Sequence, residues 1–281
     1  MSNQKVLLPL LVEGKTKKVW VTSRENEVLI ENKDSITADD GRRQDTFESK
    51  AALVTHITSN CFELLHRAGV STHFIKRESS VSFRAKKLDM IPMEIVVRRR
   101  AFGSFLERYP DTERGSYLEP LVVEFFQKNN FMHDPFLQRI GRSVRRHDAH
   151  KPLGQGVIDL CLPSVAETFM VGRWHELEYI ARRAFTVLEV AWAAQYMTLA
   201  DMKIECGVTS DGELVIGDVI DNDSWRLWRD GNADRAVDKQ LYIDGYLLEH
   251  VARQYESVAG MTTLFTHVPL VKTKSLSMNN G

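Results

Sequence analysis

Cysteine is scarce in this chain. The 281 residues contain three, Cys61, Cys161 and Cys206, far apart and without a Cys-x-x-Cys spacing. So odd and sparse a set argues against a disulfide framework and for a reducing compartment. Long apolar runs are also missing: none approaches the roughly 18 residues of a membrane span. The opening MSNQKVLLPLLVEGK has an apolar run broken at Pro9 and no small-residue cleavage site. No signal peptide is therefore expected, and the chain reads as cytoplasmic. An excess of one charge is absent too. Lys plus Arg number 37 against 38 for Asp plus Glu, a formal net charge of -1. Nothing global points to nucleic acid or an anionic membrane as partner. GxxxxGK[ST], GxGxxG and HExxH do not occur, Ser104 and Ser164 lack a nucleophile elbow, and no repeat appears. What is present is 43% hydrophobic residues, enough for one large domain or two lobes.

LLVEGKTKKVWVT predicts a strand, a glycine turn and a second strand, and NEVLIENKDS a further strand. From Asp45 to Ala68 apolar residues recur at helical spacing, which predicts a helix closed by Gly69. THFIKRESSVSFRAKKLDMIPMEIVVRRRAFGS returns to strand patterning. From Leu106 to Gly156 the chain reads as polar and loop-rich. SVAETFMVGRWHELEYIARRAFTVLEVAWAAQY predicts two helices, followed by a hairpin turning at Ser210-Asp211-Gly212 and a closing helix in YIDGYLLEHVARQYESVAG. The tail LVKTKSLSMNNG reads as frayed. Strands and helices mix with few βαβ alternations. The class is α+β, with an antiparallel N-terminal lobe over 1–100, a larger α+β lobe over 101–281, and a cleft between them.

Chemistry concentrates in LADMKIECGVTSDGELVIGDVIDND, from Leu199 to Asp223. Strand side chains alternate, so Asp201, Lys203 and Glu205 share one face while Met202, Ile204 and Cys206 share the core face. With Asp211-Gly212 as the centre of a two-residue turn, Asp218 falls opposite Glu205, Cβ atoms ~4.5–5.5 Å apart. Facing carboxylates repel unless a proton or cation lies between them. Mg²⁺ held by one or two carboxylates and a substrate phosphate would resolve the repulsion. Lys203 beside them suits phosphate or a substrate carboxylate. Taken alone, the alternation favours a solvated hairpin face with Lys203 paired to an acid. A slipped turn would instead set Asp218 opposite Lys203.

Other stretches carry related chemistry. VEGKTKKVW places Lys15 and Lys17 at strand spacing after Gly14, suited to a phosphate chain or to a basic exposed strand. IPMEIVVRRRAFGSFLER carries Arg98, Arg99, Arg100 and Arg108 around Gly103-Ser104. Consecutive arginines after an apolar strand alternate faces, so at least one points inward, where a guanidinium grips phosphate or carboxylate. A solvated basic edge is the plainer alternative. Arg226 sits between Trp225 and Leu227, which could hold it. KNNFMHDP (Lys128 to Pro135) and DSITADDGRRQ (Asp34 to Gln44) are polar loops, and His133, His147 and His150 read as ordinary surface or core residues.

In order along the chain, EGKTKKVW, IPMEIVVRRRAFGS, KNNFMHDP, LADMKIECG and GDVIDNDSWRLW resemble the SAICAR synthetase (phosphoribosylaminoimidazole-succinocarboxamide synthase) family, over about Leu8 to Gln240. The resemblance implies that family's fold, a small kinase-like antiparallel lobe and a larger α+β lobe with ATP between them. It implies an ATP- and Mg²⁺-dependent ligase joining the carboxylate of carboxyaminoimidazole ribonucleotide to the amine of L-aspartate through an acyl phosphate. By matching position, Lys15 and Lys17 would hold ATP phosphates, and Glu205 and Asp218 the Mg²⁺ and nucleotide. Asp201 and Lys203 would stand at the reacting carboxylate. Arg98, Ser104 and Arg226 would hold the imidazole nucleotide, and Lys128 to Asp134 would close on the aspartate side. The oligomeric state stays open, a homo-oligomer included. Four positions depart from the family's usual residues: Phe102, Cys206, Asn130 and Asp39. Phe102 is expected to narrow or reshape the substrate pocket, and Cys206 to affect packing. Two other readings stand beside this one. A paralogue could add aspartate to another ring carboxylate, and a nucleotide-binding protein could lack turnover.

Overall fold

The computed structural model describes residues 9–38, 41–129, 133–141, 143–161 and 172–269. Strand β1 (Leu10–Glu13) turns through Gly14 into β2 (Lys17–Val21), and β3 (Glu27–Asn32) follows. With β6 (Phe74–Arg77) and β7 (Ser82–Lys86) they form a five-stranded sheet in the order β1-β2-β3-β7-β6. Between them in sequence, β4 (Ser35–Ala38) and β5 (Arg43–Thr46) make a separate hairpin, and helix α1 spans Lys50–Arg67.

The larger sheet collects β8 (Asp89–Met90), β9 (Met93–Arg100), β10 (Tyr117–Gln127), β11 (Phe136–Ile140), β12 (Ser143–His147) and β13 (Val157–Cys161). Its remaining strands are β14 (Met197–Val208), β15 (Leu214–Gly217) and β16 (Trp225–Arg229). The path runs β13-β12-β11-β10-β9-β14-β15, with β16 and β8 also paired to β14. The α+β reading and the antiparallel sheets stand. Strand β9, assigned from sequence to a unit ending at residue 100, pairs with β10 on one side and β14 on the other.

Helices α2 (Ser104–Arg108), α3 (Trp174–Ala193), α4 (Gln240–Ile243) and α5 (Leu248–Thr263) complete the described secondary structure, apart from short 3-10 turns. One core runs through both sheets. It joins Val28, Ile30 and Phe83 of the small sheet to Ile57, Phe62 and Leu65 of α1, Leu177 and Leu188 of α3, and Ile95, Val97, Met202 and Ile204 of the large sheet. A second cluster packs Ile36, Ala38 and Phe47 around the β4–β5 hairpin against Leu241, Tyr242, Val251 and Tyr255 near the other end of the chain.

Three sequence expectations change here. Helix α1 begins at Lys50 rather than Asp45, because residues 43–46 pair with β4. Its first turn is capped from a distance: the Asp34 carboxylate accepts the Ala51 N–H at 2.9 Å. Its far end closes as expected, with Gly69 at φ +73° and Val70 N–H reaching back to the Leu65 carbonyl at 2.9 Å. The middle of the chain, read as loop, holds β10 to β12. LEPLVVEFFQ is rich in β-branched and aromatic residues, and of its two glutamates Glu124 is buried on arginines rather than solvated. The closing helix is broken at Gly245, whose φ of +85° ends α4 before α5 starts. The tail from Leu270, Ser164, Asp39 and Asn130 lie outside the described residues. Among the described residues no helix is long and apolar enough to cross a membrane.

Phe62 joins α1 to the small sheet: its ring lies 5.8 Å from Phe74, 6.4 Å from Phe83 and 5.5 Å from the His73 ring. Truncating a fully buried phenylalanine removes transfer free energy and leaves a cavity. Phe62→Ala is expected to destabilise the fold by about 3–5 kcal/mol, read from denaturant unfolding.

Candidate active site

The central hairpin turns differently from the two-residue expectation. Glu205 pairs with Gly217, Cys206 with Ile216 and Val208 with Leu214. Thr209 and Glu213 close the hairpin around the loop Ser210-Asp211-Gly212. Within it Gly212 N–H bonds the Thr209 carbonyl at 2.9 Å and Gly212 takes φ +87°. This is a type I turn followed by a left-handed residue, and it shifts the register by one. Asp218 therefore does not face Glu205 across the ladder. It lies one residue beyond β15 with φ +58°, and its carboxylate meets the Lys17 ammonium instead. His73 holds that bend, its Nε2 donating to the Asp218 carbonyl at 2.7 Å. Burial pushes the His73 imidazole down to about 3, so the ring is neutral at pH 7.

The two faces of β14 divide as alternation predicts. Met202, Ile204 and Cys206 are buried in the core, and burial raises the Cys206 thiol out of the reactive range. On the other face every charge has a partner on another element. Asp201 Oδ2 accepts from Arg98 Nη1 at 2.9 Å and from Arg226 Nη1 at 2.6 Å. Lys203 Nζ donates to Glu94 Oε1 at 2.7 Å, and Lys128 Nζ lies 2.6 Å from Glu205 Oε2. Asp201 and Lys203 thus each pair across strands rather than with one another.

This face opens on a cavity of about 1060 Å³ lined by Lys15, Arg98, Ser104, Lys128, Asp134 and Lys203, among others. A smaller cavity of about 220 Å³ shares Arg98, Ser104 and Lys203 with it and adds Asp201, Arg226, Asp223 and Asp238. Glu205 adjoins the larger cavity through its pair with Lys128, and Lys17, paired with Asp218, feels the charges of both. The structure therefore brings together the residues predicted from sequence, Lys15 and Lys17 from the small sheet included.

Phe102 lines neither cavity. Its ring stands edge-on to Trp228, centroids 5.5 Å apart, with the Arg226 guanidinium 5.1 Å and the Arg114 guanidinium 4.6 Å from its centroid. It reshapes the site through Arg226 rather than by filling it. Gly103 follows because a Cβ there would come within 2.6 Å of Arg226 Nη2.

Four buried or half-buried acids and one buried lysine were given no role from sequence. Glu94 holds Lys203, and Glu124 holds Arg98 and Arg108. Lys50 lies 3.1 Å from Asp223, whose other oxygen takes the Tyr255 hydroxyl. Asp238 accepts backbone N–H groups of Leu227 and Gln240 at 2.7 and 2.8 Å. For Glu124 the one sequence signal is a charge inside an apolar run, VVEFF.

Electrostatics mark the site as crowded. Burial pulls the Lys17 ammonium down to about 8, helped by Lys128 and Lys203 and opposed by Glu205 and Asp221. Burial works against Lys203, yet Glu94, Glu205 and Asp134 hold it above its ordinary value. Burial raises the Asp134 carboxyl, although it accepts the Asn129 N–H at 2.7 Å. Burial opposes ionisation of Asp223 as well, but Lys50, Lys239 and Tyr255 keep it below its usual range, while burial and Asp223 itself raise Asp221.

Asp238 is raised by burial from 3.8 to about 7. In that window the unfolded chain has lost the proton that the fold retains, so this group's contribution to stability falls as pH rises from about 3.8 to about 7. Unfolding free energies of Asp238→Asn and the parent protein, measured across pH 4 to 8, should shift in the variant's favour through that window and stop shifting above it.

Comparisons with known proteins agree with this geometry. The SAICAR synthetase family model matches residues 10–262. A phosphoribosylaminoimidazole-succinocarboxamide synthase of Herpetosiphon aurantiacus is 34% identical over 261 residues, covering 91% of this chain and 97% of its own. That of Roseiflexus castenholzii is 38% identical over 263 residues, covering 90% and 95%. A solved SAICAR synthetase in complex with ADP superposes with a TM-score of 0.72 at 28% identity, covering 90% of this chain and 98% of that one. On matched length, identity and fold together, the chain belongs to the SAICAR synthetase family.

Proposed function

We propose that this protein is a cytoplasmic ligase that uses ATP and Mg²⁺ to join the carboxylate of carboxyaminoimidazole ribonucleotide to the amine of L-aspartate, giving SAICAR, ADP and phosphate. The observation that carries the reading is the polar face of β14, where lysines and arginines from both sheets meet carboxylates beside a large cavity. Such a site positions and neutralises anions, which is what phosphoryl and acyl transfer between charged substrates requires. The β14 cysteine, Cys206, faces the core, so no thiolate from this strand competes as nucleophile.

In this reading the chain divides into two lobes. Lys15 and Lys17 of the small sheet reach the nucleotide phosphates, as the ADP bound to a solved relative supports. Asp218, paired with Lys17, and Glu205, whose charge Lys17 feels, offer hard oxygen donors of the kind suited to Mg²⁺ held by one or two carboxylates and substrate phosphates. The ion would neutralise charge on the transferring phosphoryl group. Arg98, Ser104 and Arg226 hold the ribonucleotide, with Arg98 and Arg226 aimed by Asp201. Lys203 stands at the reacting carboxylate, and Lys128 and Asp134 border the aspartate side. The carboxylate oxygen takes the γ-phosphoryl group and ADP leaves. The aspartate nitrogen then forms the amide bond, releasing phosphate and a proton.

Purified protein supplied with ATP, Mg²⁺, L-aspartate and the ribonucleotide should form product and ADP at ~1–10³ s⁻¹. Nucleotide binding without turnover would sink the reading and leave the paralogue, whose ring carboxylate differs, or a binding protein. Asp218→Asn keeps the backbone carbonyl that His73 binds and removes the carboxylate charge. Its turnover should fall about 100-fold or more. Near-normal kinetics in that variant would remove Asp218 from the metal and nucleotide site.

A further inference from the structure

We propose that Glu124 is a positioning residue of this site, a buried carboxylate that fixes the Arg98 guanidinium so that one edge of it serves the ribonucleotide. The proposal deepens the assignment of Arg98 above and rests on it.

The argument begins with register. Across three neighbouring strands Arg98, Asp201 and Arg226 stand directly opposite one another: Asp201 pairs with Arg98 on β9 and with Arg226 on β16. On the far side of β9, Val122 pairs with Arg98 and Glu124 with Val96. Glu124 is therefore the diagonal neighbour of Arg98 on the same face, within reach of a long side chain. Arg98 Nε donates to Glu124 Oε2 at 2.6 Å, and Arg98 Nη1 donates to Asp201 Oδ2 at 2.9 Å and the Phe102 carbonyl at 3.3 Å. Two carboxylates thus grip the guanidinium from two strands. Among the described residues Arg98 Nη2 has no protein acceptor, and Arg98 lines both cavities. Arg98 thus presents one edge of a fixed plane rather than a mobile fork.

Glu124 is in turn fixed from behind. Arg108 Nη2 donates to both of its oxygens at 2.7 Å, and Arg108 Nη1 to the Ala149 carbonyl at 2.8 Å. The Arg108 guanidinium lies 5.1 Å from the ring centroids of both Phe126 and Phe136, and its side chain is wholly buried. Arg108 lines neither cavity, so it acts on Glu124. The row Arg108–Glu124–Arg98–Asp201–Arg226 alternates in sign and begins and ends on a cation. Three guanidiniums against two carboxylates leave one positive charge for an anionic substrate. Without Glu124, Arg98 and Arg108 would be two buried cations facing each other.

Steady-state kinetics with each substrate varied, unfolding temperatures and crystal structures test this. Glu124→Gln should raise the KM for the ribonucleotide between tenfold and about 100-fold, leaving KM for ATP and L-aspartate within about twofold. Glu124→Asp should fall between the two. The double variant Arg108→Met with Glu124→Leu removes the repulsion and leaves Arg98 without its Glu124 grip. With Arg98 held only by Asp201 and the Phe102 carbonyl, it should recover the parent's unfolding temperature and keep the raised KM. If KM recovers with stability, Glu124 serves only to balance Arg108 and the proposal is overturned. A uniform loss across all three substrates overturns it equally. The substrate-free structure of Glu124→Gln decides independently of turnover: an Arg98 guanidinium still seated on Asp201 refutes the role of Glu124. Absence of product from the parent protein counts against the proposed activity, and the position of Arg98 in that structure still judges Glu124.

Discussion

One oxygen atom, Oδ2 of Asp201, accepts from arginines on the strands to either side of its own. Three strands carry these groups, so their alignment is a matter of register. A slip of a single residue would swing Asp201 to the core face and bring an apolar side chain to the arginines. Met202, Ile204 and Cys206 prevent that slip by being buried on the opposite face of the same strand. Core and site are thus two sides of one strand. The apolar side supplies the free energy that holds the charged side in place, where burying paired ions contributes little net stability of its own.

Period-two alternation was enough to sort β14 into a polar and an apolar face, and the blocks of matching residues were enough to gather the site. Partnership was not readable. Asp201 and Lys203 are neighbours in sequence, yet one is bound by Arg98 and Arg226 and the other by Glu94, from strands far along the chain. The turn was misjudged by one residue because Asp-Gly suits both a two-residue loop and the end of a three-residue one. That shift matters at Asp218, whose left-handed backbone aims its carboxylate at Lys17. Aspartate tolerates that conformation, so no glycine marks the bend in the sequence. Glu124 and Lys50 were hidden for a related reason. Each is a charge whose partners come from distant segments, and only the packed sheet brings them together.

Phe102 shows how a residue can matter to a cavity it does not line. Its ring braces Arg226 on one side while Arg114 covers it and Trp228 meets its edge. The residue beside it is glycine at φ +59°, and a Cβ there would come within 2.6 Å of Arg226 Nη2. The planar guanidinium is caught between an aromatic face and a bare Cα, which limits its rotation more than a salt bridge alone does.

The β4–β5 hairpin carries Gly41 against the Lys15 side chain, and its apolar side is covered by Tyr242, Val251 and Tyr255. Arg43 donates to the Tyr242 carbonyl at 2.8 Å and the Tyr242 hydroxyl to Asp45 at 2.8 Å. Synthesis runs from the N-terminus, so Ile36 and Phe47 leave the ribosome roughly two hundred residues before their cover does. The first lysines of the site are thus made early but seated last. Completion of the cavity wall at Lys15 awaits nearly the whole chain, and a nascent fragment carries an exposed apolar hairpin.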